Sequence, residues 1–288
     1  RQMCIRDRNM VVFPCAKINL GLQVVGVREN GYHDIETVFY PIPLHDALEI
    51  NPMDDDFPSD TRCDIKITGN FIPGKDTDNL VVKAYRLLAN DFDLPKIHIH
   101  LFKQIPTQAG LGGGSSDAAY MLKLLNEQFS LNLTIDKLKD YAARLGADCA
   151  FFIKSEPCFA SGIGDVLEPI SNSSYLLKGY KLALIKPDIA ISTKKAYQQI
   201  NVKKPLVSCK DIIHKPIKCW KDELFNDFET PVFQEFPELK VIKEQLYQQG
   251  AIYASMSGSG SAIYGIFEDE PKNIRKLFDS YFTEILTL

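Results

Sequence analysis

The sequence predicts an α+β fold. Apolar residues alternate over stretches such as 96–102, which is typical of strands, and recur at helical spacing over stretches such as 79–90. The two patterns are mixed without the regular strand–helix–strand repetition of a doubly wound sheet. The chain has 288 residues, enough for two domains, and we expect one over residues 10–170 and a second over residues 171–288.

The predicted first domain begins with strands. A hairpin signal, Asn30-Gly31, separates the first two of them. Thr134 is placed to cap a helix that stops at Gly146. The predicted strands cover residues 11–25, 35–42, 47–50, 64–68, 96–102 and a pair within 159–169, and the predicted helices cover residues 79–90 and the segments after 114 and 134.

The predicted second domain has strands on both sides of a Ser/Gly segment, 257–261. Ser192 is placed to cap a short helix. The predicted strands cover residues 180–185, 251–256 and 262–267, and the longer predicted helices cover residues 239–249 and about 271–283.

The composition is that of a globular protein, with 45% hydrophobic and 24% charged residues. The net charge is −4 and basic tracts are missing, so we expect no nucleic-acid partner, because binding to its backbone needs clustered Lys and Arg. No apolar run is long enough to span a bilayer, so we expect no membrane association. The seven cysteines lack CxxC spacing, which indicates reduced thiols and a cytoplasmic protein. Residues 1–9 do not continue the strand pattern, and we expect them to be a non-native or disordered extension before Met10.

The segment Gln108-Ala-Gly-Leu-Gly-Gly-Gly-Ser-Ser-Asp-Ala-Ala119 places four glycines and two serines before an apolar helix pattern. It lacks the third glycine of a dinucleotide-binding fingerprint and the lysine of a Walker-type loop. A glycine turn before a helix N-terminus still offers free N–H groups to a phosphate. A tight turn with a serine cap is the alternative, although such a turn needs only one or two glycines. The predicted ATP phosphate ligands are Gly110, Leu111, Gly112, Gly113, Gly114, Ser115 and Ser116.

Three motifs, in this order, resemble those of the GHMP kinases, a superfamily that includes galactose, homoserine and mevalonate kinases. They are Pro14-Cys-Ala-Lys-Ile-Asn-Leu20, the glycine segment from Pro106 to Ala119, and Met256-Ser-Gly-Ser-Gly-Ser-Ala262, which contains Gly258, Ser259 and Gly260. The resemblance covers nearly all of residues 10–288. It implies an ATP-dependent kinase of a small-molecule alcohol. It also implies a first half like the second domain of ribosomal protein S5 and a ferredoxin-like second half.

One branch of the superfamily is the most similar to this chain. Gly31-Tyr-His-Asp-Ile-Glu-Thr37 and Leu145-Gly-Ala-Asp-Cys-Ala-Phe-Phe152 resemble kinases that phosphorylate the 2-hydroxyl of a cytidine diphosphate-linked methylerythritol in non-mevalonate isoprenoid synthesis. Cys149 and Ala150 depart from the family pattern, which has Val-Pro there. Tyr32 and His33 suit a cytosine, because a flat ring can stack on the base and an imidazole can hydrogen-bond its edge. The alternative is two exposed side chains at a hairpin tip.

Two charged residues are the predicted catalytic groups. The glycine loop has no lysine, so a cation must come from elsewhere, and the resemblance implies that Lys17 lies beside the acceptor hydroxyl. Asp148 is an acid next to an apolar segment, and the resemblance implies that it orients or deprotonates that hydroxyl. A surface lysine and a helix-end cap are the structural alternatives.

Three further residues are predicted to bind the acceptor. Asn19 is a candidate partner for the acceptor or for Asp148, unless it lies on the wet face of a strand. Ser192 and Thr193 are candidates for the other end of the substrate, with a helix cap as the alternative.

We expect no metal site built from protein side chains alone. His98 and His100 share a strand face but lack a third ligand nearby. The implied cofactors are ATP and Mg²⁺ held largely by phosphates and water. The expected partner is the small-molecule substrate, with the protein acting as a monomer or a homodimer. Two alternatives remain: a GHMP kinase of the homoserine or mevalonate type, and a non-catalytic nucleotide-binding regulator.

Overall fold

The computed structural model of the chain describes residues 10–53, 62–170, 176–200, 202 and 205–288. The extension predicted over residues 1–9 lies outside them. Helices and mainly antiparallel strands occur together, which confirms the α+β prediction.

The strands are β1 (Met10–Val12), β2 (Cys15–Val27), β3 (His33–His45), β4 (Ala47–Pro52), β5 (Cys63–Gly69), β6 (Ile97–Lys103), β7 (Cys158–Ser161), β8 (Val166–Pro169), β9 (Lys181–Lys186), β10 (Tyr253–Met256), β11 (Ile263–Phe267) and β12 (Phe282–Thr287). The helices are α1 (Leu80–Ala89), α2 (Gly113–Gln128), α3 (Ile135–Leu145), α4 (Phe151–Lys154), α5 (Thr193–Gln198), α6 (Cys209–Ile212), α7 (Trp220–Glu223), α8 (Glu229–Glu235), α9 (Pro237–Gln248) and α10 (Ile274–Leu277). Within the described ranges, no helix is long and apolar enough to cross a membrane.

The chain forms two compact units, each assembled from separate segments. Among the residues that the structure describes, the first unit contains 10–16, 44–107 and 112–155. Its sheet has the order β1-β4-β6-β5, in which β5 and β6 are parallel and the other neighbours are antiparallel. Helices α1 to α4 complete this unit. Helix α2 is buried through Ala118, Leu122 and Leu125, which recur at the helical period and therefore lie on one face.

The second unit contains residues 17–43, 108–111 and 156–288. It holds two four-stranded sheets with the orders β2-β3-β7-β8 and β10-β11-β9-β12. A continuous apolar core joins Leu22 and Val24 of β2 to Ile263 of β11 and to Leu239 and Ile242 of α9. Strand β2 is buried over ten consecutive residues, Cys15–Val24, so its polar side chains must find partners inside the protein.

The sequence-based division into 10–170 and 171–288 stays a prediction. The two compact units do not follow the order of the chain, because residues 17–43 and 108–111 of the first half belong to the second unit. The glycine segment itself changes unit, since residues 108–111 belong to the second unit and Gly112 begins a stretch of the first.

Several local predictions are confirmed. Thr134 caps α3 by accepting from Lys137 N at 3.3 Å, and Ser192 caps α5. The hairpin turn between β2 and β3 contains Gly31, whose φ of +81° suits glycine.

The helix predicted over about 271–283 is wrong in its second half. Helix α10 ends at Leu277, and the segment from Phe282 to Thr287 forms β12, antiparallel to β9. Aromatic and β-branched residues in this segment favour an extended backbone, and the free side of β9 supplies hydrogen-bond partners. The sequence pattern does not show that partner, because β9 is about a hundred residues earlier in the chain.

Candidate active site

Helix α2 begins inside the glycine-rich segment. Its N-cap, Gly112, has a left-handed backbone with φ +70°, and Ser116 N is the first amide to bond back, to Gly112 O at 2.8 Å. The amides before it in the first turn have no intrahelical acceptor and lie at the positive end of the helix dipole. The Ser116 hydroxyl is buried and has no hydrogen-bond partner among the described residues. This helix N-terminus therefore offers donors suited to a phosphate.

Gly110 packs directly on the C-terminal glycine motif. Its φ is +74°, and a Cβ there would lie 1.9 Å from Ser257 O. The Ser257 hydroxyl donates to Gly110 O at 2.9 Å, and Ala262 N donates to Ala109 O at 3.2 Å. Only glycine can approach the backbone of residue 257 this closely, so the two glycine motifs depend on each other for their shape.

Lys17 and Asn19 form a buried polar chain on β2. Lys17 Nζ donates to Asn19 Oδ1 at 2.7 Å, and Asn19 Nδ2 donates to Thr37 Oγ1 at 2.9 Å. Lys17 N donates to Leu111 O at 3.0 Å, which joins β2 to the glycine segment. Lys17 is 3% exposed and Asn19 2% exposed, so the alternatives of a surface lysine and a wet strand face are wrong. The ammonium group is held in a fixed orientation.

Asp148 lies in the turn between α3 and α4, in the first unit, and is half-buried. The N-cap of α4 is Ala150 and the C-cap of α3 is Gly146, so Asp148 is the cap residue of neither helix. The next residue, Cys149, is buried, and burial raises the pKa of its thiol to about 11, which keeps it neutral at pH 7. The carboxylate is thus set in a short turn beside a neutral, buried neighbour.

A buried cluster of charged residues, which the sequence analysis does not predict, lies near the N-terminal end of α2. Lys103, at the end of β6, donates to Asp46 and to Asp117 Oδ2, the latter at 2.7 Å. Asp46 Oδ1 also accepts from the amides of Gln104 and Ile105. Burial raises the pKa of Asp117 to about 8, against the lowering effect of Lys103. Burial alone would lower the pKa of Lys103, but the carboxylates of Asp117 and Asp46 outweigh it and raise that pKa.

A cavity of about 210 Å³ lies in the first unit beside this cluster. Its wall includes Ile67, Leu80, Thr107 and Gly114, the last of which belongs to the glycine segment. The volume is below the usual range for a whole ligand and fits one part of a larger molecule.

The residues predicted to bind a base lie at the β2–β3 hairpin. Tyr32 is 60% exposed in the turn. His33 is half-buried and stacks on Tyr197, with ring centroids 4.8 Å apart and an interplanar angle of 29°. Tyr197 in turn packs against Phe228 in a T-shaped arrangement, with an interplanar angle of 81°. The hairpin tip therefore carries an aromatic surface with one exposed ring.

A second cavity, of about 500 Å³, lies in the second unit. Ser192, Thr193, Ser259 and Gly260 contribute to its wall. The hydroxyls of Thr193 and Ser259 are 2.9 Å apart, while Ser192 also caps α5. The predicted substrate-binding serine and threonine therefore face the same cavity as the C-terminal glycine motif.

The two strand histidines have partners of other kinds. His98 Nδ1 lies 3.9 Å from an Asp64 oxygen, and His100 Nε2 lies 2.9 Å from Thr68 Oγ1. In the part of the chain that the structure describes, no group of three or more His, Cys, Asp or Glu is placed to hold a metal ion.

Sequence reasoning missed Lys103, Asp46, Asp117 and Tyr197. Asp117 lies inside the glycine motif, so a signal existed for this residue. Lys103 and Asp46 are 57 residues apart, and no local pattern connects them.

Known proteins of similar sequence and structure point in one direction. Residues 79–156 match the family described as GHMP kinases N terminal domain, and residues 210–282 match GHMP kinases C terminal. The 4-diphosphocytidyl-2-C-methyl-D-erythritol kinase of Bacteroides fragilis is 53% identical over 273 residues, covering 95% of this chain and 97% of its own. The enzyme of that name from Bacteroides thetaiotaomicron is 54% identical over 261 residues, covering 91% and 93%.

Solved structures agree. A crystal structure of 4-(cytidine 5'-diphospho)-2C-methyl-D-erythritol kinase matches with a TM-score of 0.76 and 28% identity, covering 96% of this chain and 99% of that one. A homoserine kinase from Cytophaga hutchinsonii matches with a TM-score of 0.71 at 15% identity, covering 100% and 97%, and shows the fold alone.

Fold and site together define a GHMP kinase, as the sequence motifs predicted. Within that class, the chain belongs to the 4-diphosphocytidyl-2-C-methyl-D-erythritol kinase family.

Proposed function

We propose that this chain transfers the γ-phosphoryl group of ATP to the 2-hydroxyl of 4-diphosphocytidyl-2-C-methyl-D-erythritol, giving the 2-phosphate and ADP. The observation that carries the proposal is the 53% identity, over 95% of the chain, to a kinase named for this acceptor. The phosphate-binding helix terminus and the buried Lys17 supply groups that such a transfer needs.

The phosphates of ATP are proposed to bind at the N-terminus of α2. The free amides of residues 113–115 and the partnerless Ser116 hydroxyl are donors that suit phosphate oxygens. The same hydroxyl fits as a ligand for a Mg²⁺ ion that arrives with the nucleotide, and such an ion neutralises charge on the phosphates. The adenosine is proposed to enter the 210 Å³ cavity, because Gly114 belongs both to its wall and to the phosphate-binding segment.

Lys17 and Asp148 are proposed to act on the acceptor side of the transfer. A bond forms between the acceptor oxygen and the γ-phosphorus, and the bond from that phosphorus to the β–γ bridging oxygen of ATP breaks. The Lys17 ammonium stabilises negative charge on the transferred group. Asp148 either accepts the proton of the acceptor hydroxyl, or it only orients that hydroxyl and the proton passes to an oxygen of the transferred phosphoryl group. Because the transition state is loose, orientation alone is a sufficient role.

The cytosine of the acceptor is proposed to bind at the hairpin tip. Tyr32 exposes a ring that can stack on a base, and His33 is held in place by stacking on Tyr197. An imidazole in a fixed orientation can hydrogen-bond the edge of cytosine selectively. Ser192 and Thr193 are proposed to contact another part of the acceptor in the 500 Å³ cavity.

The expected cytoplasmic location also stays a proposal. It is supported by the cysteines in the described residues, which are all free thiols.

A coupled ADP-release assay tests the function. The purified chain is supplied with ATP and Mg²⁺, and with 4-diphosphocytidyl-2-C-methyl-D-erythritol, homoserine, mevalonate or galactose in parallel. We expect ADP release with the cytidylyl acceptor alone. Turnover with another acceptor would reject the cytosine assignment, and ATP binding without turnover would support a non-catalytic regulator.

A further inference from the structure

Asn226 lies between strand β2 and the C-terminal glycine motif, in a segment to which the proposed function assigns no catalytic or binding residue. It is 3% exposed, and its side chain uses both ends of its amide. Nδ2 donates to Met256 O at 2.7 Å and to Gly258 O at 2.8 Å, while Oδ1 accepts from Phe228 N at 3.0 Å. One side chain thus holds two carbonyls of the glycine motif at once.

The backbone around Asn226 is itself fixed by β2. Leu22 N donates to Phe225 O at 2.9 Å, and Asp227 N donates to Leu22 O at 2.8 Å, so this segment forms a short parallel bridge with the strand. Val24 N donates to Asp227 Oδ2 at 2.7 Å. The amide of Asn226 is therefore supported by the same strand that carries Lys17.

The carbonyls that Asn226 holds belong to a loop in contact with the phosphate-binding segment. Gly258 has φ +56°, and a Cβ there would lie 3.2 Å from Gly110 Cα. Ser257, between the two held carbonyls, donates its hydroxyl to Gly110 O at 2.9 Å. A shift of the loop would therefore shift Gly110.

We propose that Asn226 is a positioning residue for nucleotide binding: its amide fixes the loop at residues 256–258, and that loop holds Gly110 in the conformation that receives the phosphates of ATP. The inference rests on the proposed role of the glycine segment as the ATP phosphate site. It needs an amide at this position, because two carbonyl acceptors require two N–H donors from one side chain. A carboxylate of the same shape would place an oxygen against both carbonyls.

The test measures the dissociation constant of a non-hydrolysable ATP analogue with Mg²⁺, by calorimetry, for the full chain. Asn226→Asp removes both donors at nearly constant volume. Asn126→Asp is the matched control: Asn126 also donates to a backbone carbonyl, Leu133 O at 3.2 Å, but it lies near the C-terminal end of α2. Ser257→Ala removes only the hydroxyl that holds Gly110. Thermal unfolding of each variant reports its stability.

We expect Asn226→Asp to weaken binding of the analogue about tenfold or more, since a lost buried hydrogen bond typically changes an equilibrium constant by that factor. Ser257→Ala should weaken it several-fold, and Asn126→Asp should stay within about twofold of the wild type. In turnover assays, kcat/KM for ATP should fall while the KM of the acceptor changes little.

Unchanged analogue binding in Asn226→Asp, or an equal loss in Asn126→Asp, would overturn the proposal. If Asn226→Asp does not fold, Ser257→Ala decides, and wild-type affinity in that variant overturns it. The binding measurement needs no acceptor. A wrong acceptor assignment would therefore appear only in the turnover assay and leave this result intact.

Discussion

Lys17, the proposed catalytic lysine, is held by neighbouring side chains before any substrate is bound. Its ammonium donates to the Asn19 amide oxygen and lies 4.9 Å from the centre of the Phe39 ring. Asn19 is held in turn by Thr37, whose hydroxyl donates to Gly21 O at 2.5 Å. Because this lysine is already oriented, the proposed transfer would cost little of its side-chain entropy.

Asp148→Asn tests the second predicted catalytic residue. The amide keeps the shape of the side chain but cannot accept a proton as a carboxylate does. We expect kcat to fall by about 10²–10⁴, the usual contribution of a positioned acid or base. The dissociation constant of an ATP analogue should change less than twofold, because Asp148 is proposed to act on the acceptor. Steady-state kinetics and calorimetry measure the two effects.

Asp140→Asn is the control for this variant. Asp140 is an exposed acid on α3, paired with Lys137 at 3.6 Å, and its loss should leave kcat unchanged. If Asp148→Asn turned over at the wild-type rate, Asp148 would have no part in the transfer.

Residues in contiguous motifs could be predicted, and residues that meet only through the fold could not. Lys17 and Asp148 stand within recognisable motifs, and the burial of Lys17 is consistent with the role assigned to it. Lys103 is the last residue of a strand that has no unusual sequence feature. Its two carboxylate partners are Asp46, which directly precedes β4, and Asp117, which lies in α2. Tyr197 lies on a short polar helix, and only its stacking on His33 marks it.

At the scale of elements, the glycine segment includes one position, Gly110, at which the neighbouring backbone leaves no room for a side chain. The sequence predicts a helix preceded by flexible backbone, and the structure adds the reason for Gly110, which is the carbonyl of Ser257. The same scale explains the wrong C-terminal helix. An apolar pattern can form a helix or a strand, and the available side of β9 decides for β12.

Gly110→Ala tests whether the close contact between Gly110 and the carbonyl of Ser257 is needed for nucleotide binding. Alanine at a positive φ costs about 1 kcal/mol through backbone strain alone. At position 110 the Cβ of alanine would also lie 1.9 Å from Ser257 O, so the loop must move. We expect the affinity for an ATP analogue to fall at least about tenfold, a loss that corresponds to about 1.4 kcal/mol. Calorimetry measures the affinity and thermal unfolding the stability.

Gly179→Ala is the matched control. Gly179 has φ +90° and nothing within 4 Å of an added Cβ, so the variant carries the strain without the overlap. Its affinity for the analogue should equal that of the wild type. Equal losses of affinity in the two variants would show that the contact between Gly110 and Ser257 is not needed for binding.

At the scale of the whole molecule, the sequence predicts the fold class and the order of the motifs, and its division of the chain into residues 10–170 and 171–288 stays a prediction. The first unit contains a buried cluster in which one lysine faces two carboxylates. If all three groups were ionised, the cluster would hold an uncompensated buried charge, which is costly. Burial raises the pKa of Asp117 to about 8, so one carboxyl retains its proton over much of the pH range.

The raised pKa of Asp117 predicts that the free energy of unfolding depends on pH. Between the ordinary carboxyl value of 3.8 and about 8, Asp117 binds a proton in the folded protein but not in the unfolded chain. The folded state therefore binds more protons, and the contribution of Asp117 to the free energy of unfolding falls as the pH rises through this window. The contribution of Asp117 is fully present below pH 3.8 and is lost above about pH 8. Between these values the free energy of unfolding falls by at most about 1.4 kcal/mol per pH unit.

Asp117→Asn isolates this contribution, because its amide oxygen can still accept from Lys103 but does not titrate. Urea unfolding of both proteins between about pH 5 and 9 should show the variant gaining stability relative to the wild type up to about pH 8, after which the difference becomes constant. Other titrating groups affect both proteins alike and cancel in the difference. Parallel curves over the whole range would mean that Asp117 is ionised throughout and that Lys103 compensates both carboxylates.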